Sequence, residues 1–289
     1  MKIGLFLGLT TVDLLFALPV YPIEDSKSVA SEFLAAAGGP ATNAAVVFAA
    51  LGGQARLVSS LPDEGVGNIA RADLRAHGVE HHPLRMDQPA PEVLSAIAVS
   101  GANGSRTILT TPSLHSDAPL ALNAGRLPEL IVGCDVLMLD GHQVTLAAEA
   151  ARLARAGNVP VVLDGDIYRA GVEELLPLVD AVIFGKTFEM PGCAGPQAII
   201  DRMLSAGARH VAATQGGDPI LFASEGRAGT IPVAAVKCLD TLAAGDFFHG
   251  AFCFDFCVSG DFETALRFAS RIATRSVETW GPREWLKSL

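Results

Sequence analysis

Short, mostly apolar runs recur along the chain, separated by stretches in which apolar positions return every three or four residues. Residues 3–9, 55–60, 134–139, 160–163, 181–184 and 210–214 form such runs, and each predicts a buried strand. Stretches with helical periodicity, such as 144–156 and 197–206, lie between several of them. Strands joined by helices imply crossover connections, and therefore a mostly parallel sheet covered by helices on both faces. In sheets of this kind ligands bind beyond the carboxyl ends of the strands.

Residues 14–36 and 92–110 break this rhythm. They carry Pro, Gly and alternating apolar positions (Val93, Ile97, Val99) with no helix between. Both predict antiparallel strands standing off the main sheet, with Ala102-Asn103-Gly104 at a hairpin tip. The expected architecture is one α/β domain over 1–289 with a small discontinuous β lid.

Composition narrows the function. Half of the 289 residues are hydrophobic and 18% are charged, enough apolar content for a substantial core. The net charge of −10 lacks the basic face that nucleic-acid binding requires. No uninterrupted apolar stretch reaches membrane-spanning length, and the apolar start runs into Asp13 without a cleavage-type site. The five cysteines are an odd number, mostly in apolar surroundings, and fit buried thiols in a reducing compartment. A soluble, cytoplasmic protein is therefore expected.

The segment richest in chemistry runs Asp240-Thr241-Leu242-Ala243-Ala244-Gly245-Asp246-Phe247-Phe248-His249-Gly250. A polar turn and three small residues lead into an apolar helix predicted over 247–258. Small residues let a ligand approach the backbone, and the unpaired N–H groups of a first helical turn attract anions. Asp246 sits beside those donors, placed to accept a proton from an attacking hydroxyl. Taken alone, a Gly-Asp pair before a helix reads equally well as a cap.

The longer pattern D-T-x-A-A-G-D resembles the signature of the ribokinase-like (PfkB) carbohydrate kinases. The resemblance implies an ATP- and Mg²⁺-dependent sugar kinase on that family's fold. Asp246 is then the catalytic base, and the backbone of Ala243, Ala244 and Gly245 forms the anion hole. Ala37-Gly38-Gly39-Pro40-Ala41-Thr42-Asn43 resembles the family's N-terminal signature, which places Gly39 and Asn43 on the sugar; Asp13 matches an Asp that binds sugar hydroxyls. Thr214-Gln215-Gly216-Gly217 resembles the turn under the nucleotide, so Thr214 and Gly216, together with Asp240 and Thr241, are assigned to ATP. Residues 104–109 and 265–269 look like ketohexokinases, with Arg106 reaching the nucleotide phosphates from the lid. Where the family has N-x-x-E, this chain has Lys186-Thr187-Phe188-Glu189. Glu189 is retained to organise Mg²⁺ through water, but Lys replaces Asn. A homodimer joined through the lid is implied as well.

Several other motifs lead elsewhere. Gly185-Lys186-Thr187 resembles a P-loop ending, but Asp180 stands where the pattern needs Gly. Gly65-x-Gly67-x-x-Ala70 is a partial dinucleotide fingerprint, the only feature favouring a nicotinamide oxidoreductase. His249, Cys253 and Cys257 share one helix face among Phe and Ala, which favours core thiols over a metal site. His81-His82 precedes a Pro and is expected to face solvent.

The substrate is less constrained. Residues 38–41, 162–167, 214–216 and 248–251 look like kinases of 6-deoxy-6-sulfofructose, a branch that carries a Lys where Lys27 stands. A second cation of that branch, an Arg, is His142 here. Ketoses, other sugars, nucleosides or other alcohols stay open as acceptors, as does a non-catalytic sugar or nucleotide sensor on the same fold.

Overall fold

The computed structural model describes residues 1–84, 93–102, 104–111 and 126–289. The strands are β1 (Ile3–Leu7), β2 (Thr11–Leu18), β3 (Glu32–Gly38), β4 (Gln54–Ser59), β5 (Val79–Pro83), β6 (Leu94–Ser100), β7 (Arg106–Thr110), β8 (Val136–Leu139), β9 (Val161–Gly165), β10 (Ala181–Phe184), β11 (His210–Gln215), β12 (Asp218–Ser224) and β13 (Arg227–Ile231). The helices are α1 (Pro40–Ala50), α2 (Gly67–Ala76), α3 (Leu127–Ile131), α4 (Val144–Ala156), α5 (Gly195–Ser205), α6 (Ala244–Ser259) and α7 (Phe262–Ser276).

Nine strands form the main sheet in the order β13-β12-β11-β10-β9-β8-β1-β4-β5. Every neighbouring pair from β11 to β5 is parallel; β12 and β13 extend the sheet as an antiparallel edge. The unbroken apolar runs are explained by two cores. In β8, Val136 and Met138 enter one core with α1, α6 and α7, while Leu137 and Leu139 enter the other with α3, α4 and α5. A strand whose two faces are both buried has no polar positions to alternate.

The second sheet, β3-β2-β6-β7, is the lid. It begins at Thr11 rather than 14, so Asp13 lies within β2, and its side chain is buried. The lid is also not wholly antiparallel: β2 and β6 run parallel between two antiparallel pairs. Glu92 and Asn103, counted in the lid and its hairpin tip, lie outside the described residues. His81 and His82 are a further correction, since both belong to β5 and are half-buried. Ser59 lies against His81 Nε2 at 3.0 Å, and burial lowers that imidazole to about 4.

Candidate active site

The loop before α6 touches the lid, where Arg106 bonds to Thr241, and α6 itself touches the carboxyl end of β9, where His249 lies beside Asp164. α6 starts at Ala244, three residues before the predicted start, because Ala243 adopts a left-handed conformation (φ 59°) that turns the chain into the helix. The N–H groups of Gly245 and Asp246 have no backbone partner among the described residues, and a Cβ built on Gly245 would meet nothing within 4 Å. The turn is therefore an open cradle with free donors, a fit for phosphoryl oxygens.

Helix packing carries Asp246 to its partners. Gly250 lies so close to α1 that a Cβ there would stand 2.3 Å from the Ala44 carbonyl oxygen. This contact brings Asn43 of α1 to Asp246, and the Asn43 amide nitrogen donates to Asp246 Oδ2 at 2.8 Å. Gly39, at φ 97° against the Leu9 carbonyl, sets the entry into α1. Burial pushes the Asp246 carboxyl up to about 7, reinforced by the charge of Asp164; the Asn43 hydrogen bond opposes the rise. Asp13 is also raised, to about 6, mainly by burial, while the Thr11 hydroxyl donates to it at 2.6 Å.

His249 is buried and faces the core. Its Nδ1 lies 2.8 Å from the Gly245 carbonyl and 3.4 Å from Asp164 Oδ2, and its Nε2 lies 3.1 Å from the Ile183 carbonyl. It thus ties the first turn of α6 to the ends of β9 and β10. Cys253 is fully buried, and no cluster of metal-type ligands occurs among the described residues.

The nucleotide assignments divide. Arg106 donates to the Thr241 hydroxyl at 2.7 Å, so the lid reaches the anion-hole loop. Asp240 is buried, and both carboxylate oxygens accept backbone N–H groups, from Leu242 (2.9 Å) and Gly281 (3.0 Å). Its carboxylate is spent on shaping the loop. Thr214, Lys186 and Glu189 line a cavity of about 730 Å³ beyond β10 and β11, and Gly216 forms the adjoining turn with φ 68°. Lys186 pairs with Asp218 at 3.0 Å, and exposed Glu189 offers a carboxylate suited to holding Mg²⁺ through water.

On the sugar side His142 does not stand alone. Arg169, half-buried after β9, places Nη2 3.0 Å from His142 Nε2. Lys27 is exposed on the loop between β2 and β3. Sequence reading missed Arg169 and also Arg283, which donates to the Asn43 amide oxygen at 3.1 Å. A signal for Arg283 existed: the chain's two tryptophans, Trp280 and Trp285, bracket it, and Trp285 packs on Phe247, next to Asp246 in sequence, at 5.0 Å between ring centres.

Comparison with known proteins shows the family and the fold. The model of the pfkB family carbohydrate kinases matches residues 5–288. Ribokinase of Bacillus subtilis is 25% identical over 95% of this chain and 92% of its own length. Mouse ketohexokinase is 30% identical, but over only 36% of the chain and 35% of its own length. Among solved structures, ribokinase from Giardia lamblia superposes with a TM-score of 0.82 at 18% identity, covering 100% of this chain and 98% of the other. Arabidopsis thaliana ribokinase complexed with ribose and ATP gives 0.73 at 19% identity, covering 99% and 97%.

Proposed function

This chain belongs to the pfkB family of carbohydrate kinases, and from that premise we propose that it phosphorylates a hydroxyl of a ketose or sulfofructose-like sugar, with Asp246 as general base. The observation that carries the reading is the half-buried carboxylate of Asp246 set beside the unpartnered N–H groups of an open helical turn. As the sugar oxygen bonds to the γ-phosphorus of ATP, its proton passes to Asp246 Oδ1 or Oδ2. The bond to the β,γ-bridging oxygen breaks, and ADP leaves with that electron pair. A carboxyl raised to about 7 is a stronger base than an ordinary one, matched to neutral conditions. The backbone of 243–246 faces the oxygens of the phosphoryl group in flight. Glu189 would hold Mg²⁺ through water, and the ion supplies charge neutralisation on the phosphates.

An anionic acceptor is favoured by the Arg169 guanidinium at His142, a cation where the sulfosugar resemblance has one. Lys27, on the lid loop, is the second cation of this reading. The exposed lid residues Phe33, Ile108 and Leu109 support a homodimer through the lid. The cytoplasm, where ATP is abundant, is the proposed location.

The test is ADP release with Mg·ATP across D-ribose, D-fructose, 6-deoxy-6-sulfofructose and adenosine. Stimulation by a sugar is expected, largest with the sulfosugar. No stimulation by any of the sugars would sink the reading.

A further inference from the structure

Asp246 is held by an amide, and an amide has two different ends. The nitrogen of Asn43 donates and its oxygen accepts, so a half-turn of the side chain would exchange them. In the structure the nitrogen lies against Asp246 and the oxygen against Arg283. A guanidinium only donates and stays charged throughout the accessible pH range. With Arg283 in place, the flipped amide would set donor against donor at one end and acceptor against carboxylate at the other.

Arg283 is itself pinned. Its Nε and Nη2 donate to Asp73 Oδ2 at 3.1 and 3.0 Å, its Nη2 to the Ala37 carbonyl at 2.6 Å, and its Nη1 also to the Pro282 carbonyl at 3.2 Å. Asp73 Oδ2 in turn accepts the Ala37 N–H at 3.0 Å. Arg283 is only 9% exposed and Asn43 4%, so water does not stand in for either partner.

We propose that Arg283 is a positioning residue: by taking the amide oxygen of Asn43 it forces the amide nitrogen onto Asp246, which keeps that carboxylate oriented and ionised. The proposal rests on the reading of Asp246 as the base. The groups facing Asp246 are Asp164 and Asp166 from the end of β9, which favour its protonated form, and His249 and Asn43, which oppose it. Facing Arg283 are Asp73 and His77 of α2 and its C-cap, and Asp13 of β2. Among the described residues, Asn43 is the neutral side chain that hydrogen-bonds Asp246, and its polarity is set from behind.

The test follows the ¹³C carboxyl resonance of Asp246 from pH 5 to 9 in aspartate-labelled protein, assigned with Asp246→Asn. The wild-type midpoint is expected near about 7. Arg283→Gln, whose own amide imposes no polarity, is expected to raise it by about one unit. Arg283→Lys, still a pure donor, should raise it less. In an Asn43→Ala background Arg283→Gln should add nothing, since the link is already cut. A purely structural Arg283 would lower the melting temperature and leave the midpoint in place, which overturns the proposal; so would a Lys variant that shifts it as far as Gln. Should Arg283→Gln fail to fold, the wild-type ¹⁵N resonances decide: those of the Asn43 amide and the Arg283 guanidinium must both move with the Asp246 midpoint, and a silent guanidinium overturns the link. Turnover of Asp246→Asn is measured separately. Normal turnover there removes the base but not the coupling, so the two failures are distinguishable.

Discussion

Around half-buried Asp246, the side chains of Asn43, Asp164, His249 and Arg283 meet almost without exposure, whereas in the lid Phe33 is 58% exposed and Leu109 71%. The first region holds its polar groups by several hydrogen bonds each, because a buried group left unpaired costs about 1–3 kcal/mol. The second keeps apolar faces that its own strands do not cover. On the proposed reading, the groups that would move the proton sit in the tightly bonded region, and the lid, with its uncovered apolar faces, is the part that would adjust to a substrate or a second copy.

The strongest way to break this comparison is Asp246→Asn. Asp246 lies in the first turn of α6 and does not cap it, the N-cap being Ala243. Asn retains the size but cannot take the proton, so kcat is expected to fall about 10²- to 10⁴-fold with KM little changed. A role limited to complementing the helix dipole would leave turnover near normal and cost about 0.3–1 kcal/mol. The same variant has a pH signature. Folding raises this carboxyl from 3.8 to about 7, so the stability it contributes is full below pH 3.8 and lost as pH rises towards 7. The melting temperature of Asp246→Asn minus that of wild type should therefore increase between pH 4 and pH 8; a difference that decreases over this range would contradict the raised carboxyl.

Gly250→Val attacks the packing behind the base. The new side chain must part α6 from α1, at about 1–3 kcal/mol of stability, and a displacement near 1 Å between Asn43 and Asp246 is worth up to about 10²-fold in kcat. Thermal melts and steady-state kinetics on one preparation check both.

The lid should respond more mildly. Lys27→Ala should raise KM for 6-deoxy-6-sulfofructose a few-fold with kcat intact, and D-fructose less, as loss of an exposed charge contact does. Equal effects on both sugars would make Lys27 a lid support only. Leu109→Glu should leave kcat within about twofold and shift sedimentation from dimer to monomer. A wild-type monomer at micromolar concentration would remove the shared-surface half of the comparison.

The α/β body was legible because its signals are local. Runs such as 181–184 are apolar throughout, and the span 144–156 has the helical period from end to end. The missed strands β5, β12 and β13 are edge or near-edge elements whose mixed composition, His81-His82 in β5 and Arg227 in β13, hides them. In the site, Asp246 and its anion-hole turn stood out because small residues and an acid adjoin in sequence. Arg283 and Arg169 did not, since each matters only through a neighbour remote in sequence, Asn43 or His142. The same distance hid the face of His249: helical spacing shows that it lies near Asp246, not that Ile183 of another strand receives it.

The hydrogen bonds that hold the base join residues 203 and 240 positions apart. Loops of that length close only after the intervening chain has collapsed, and contacts between remote residues are the slow part of a folding reaction. Helices such as α4, built from neighbours in sequence, are therefore expected to form before the junction of Asn43 with Asp246 and Arg283 closes. In a refolding experiment the far-UV helical signal should return ahead of ADP release, and recovery of both at one rate would contradict that order.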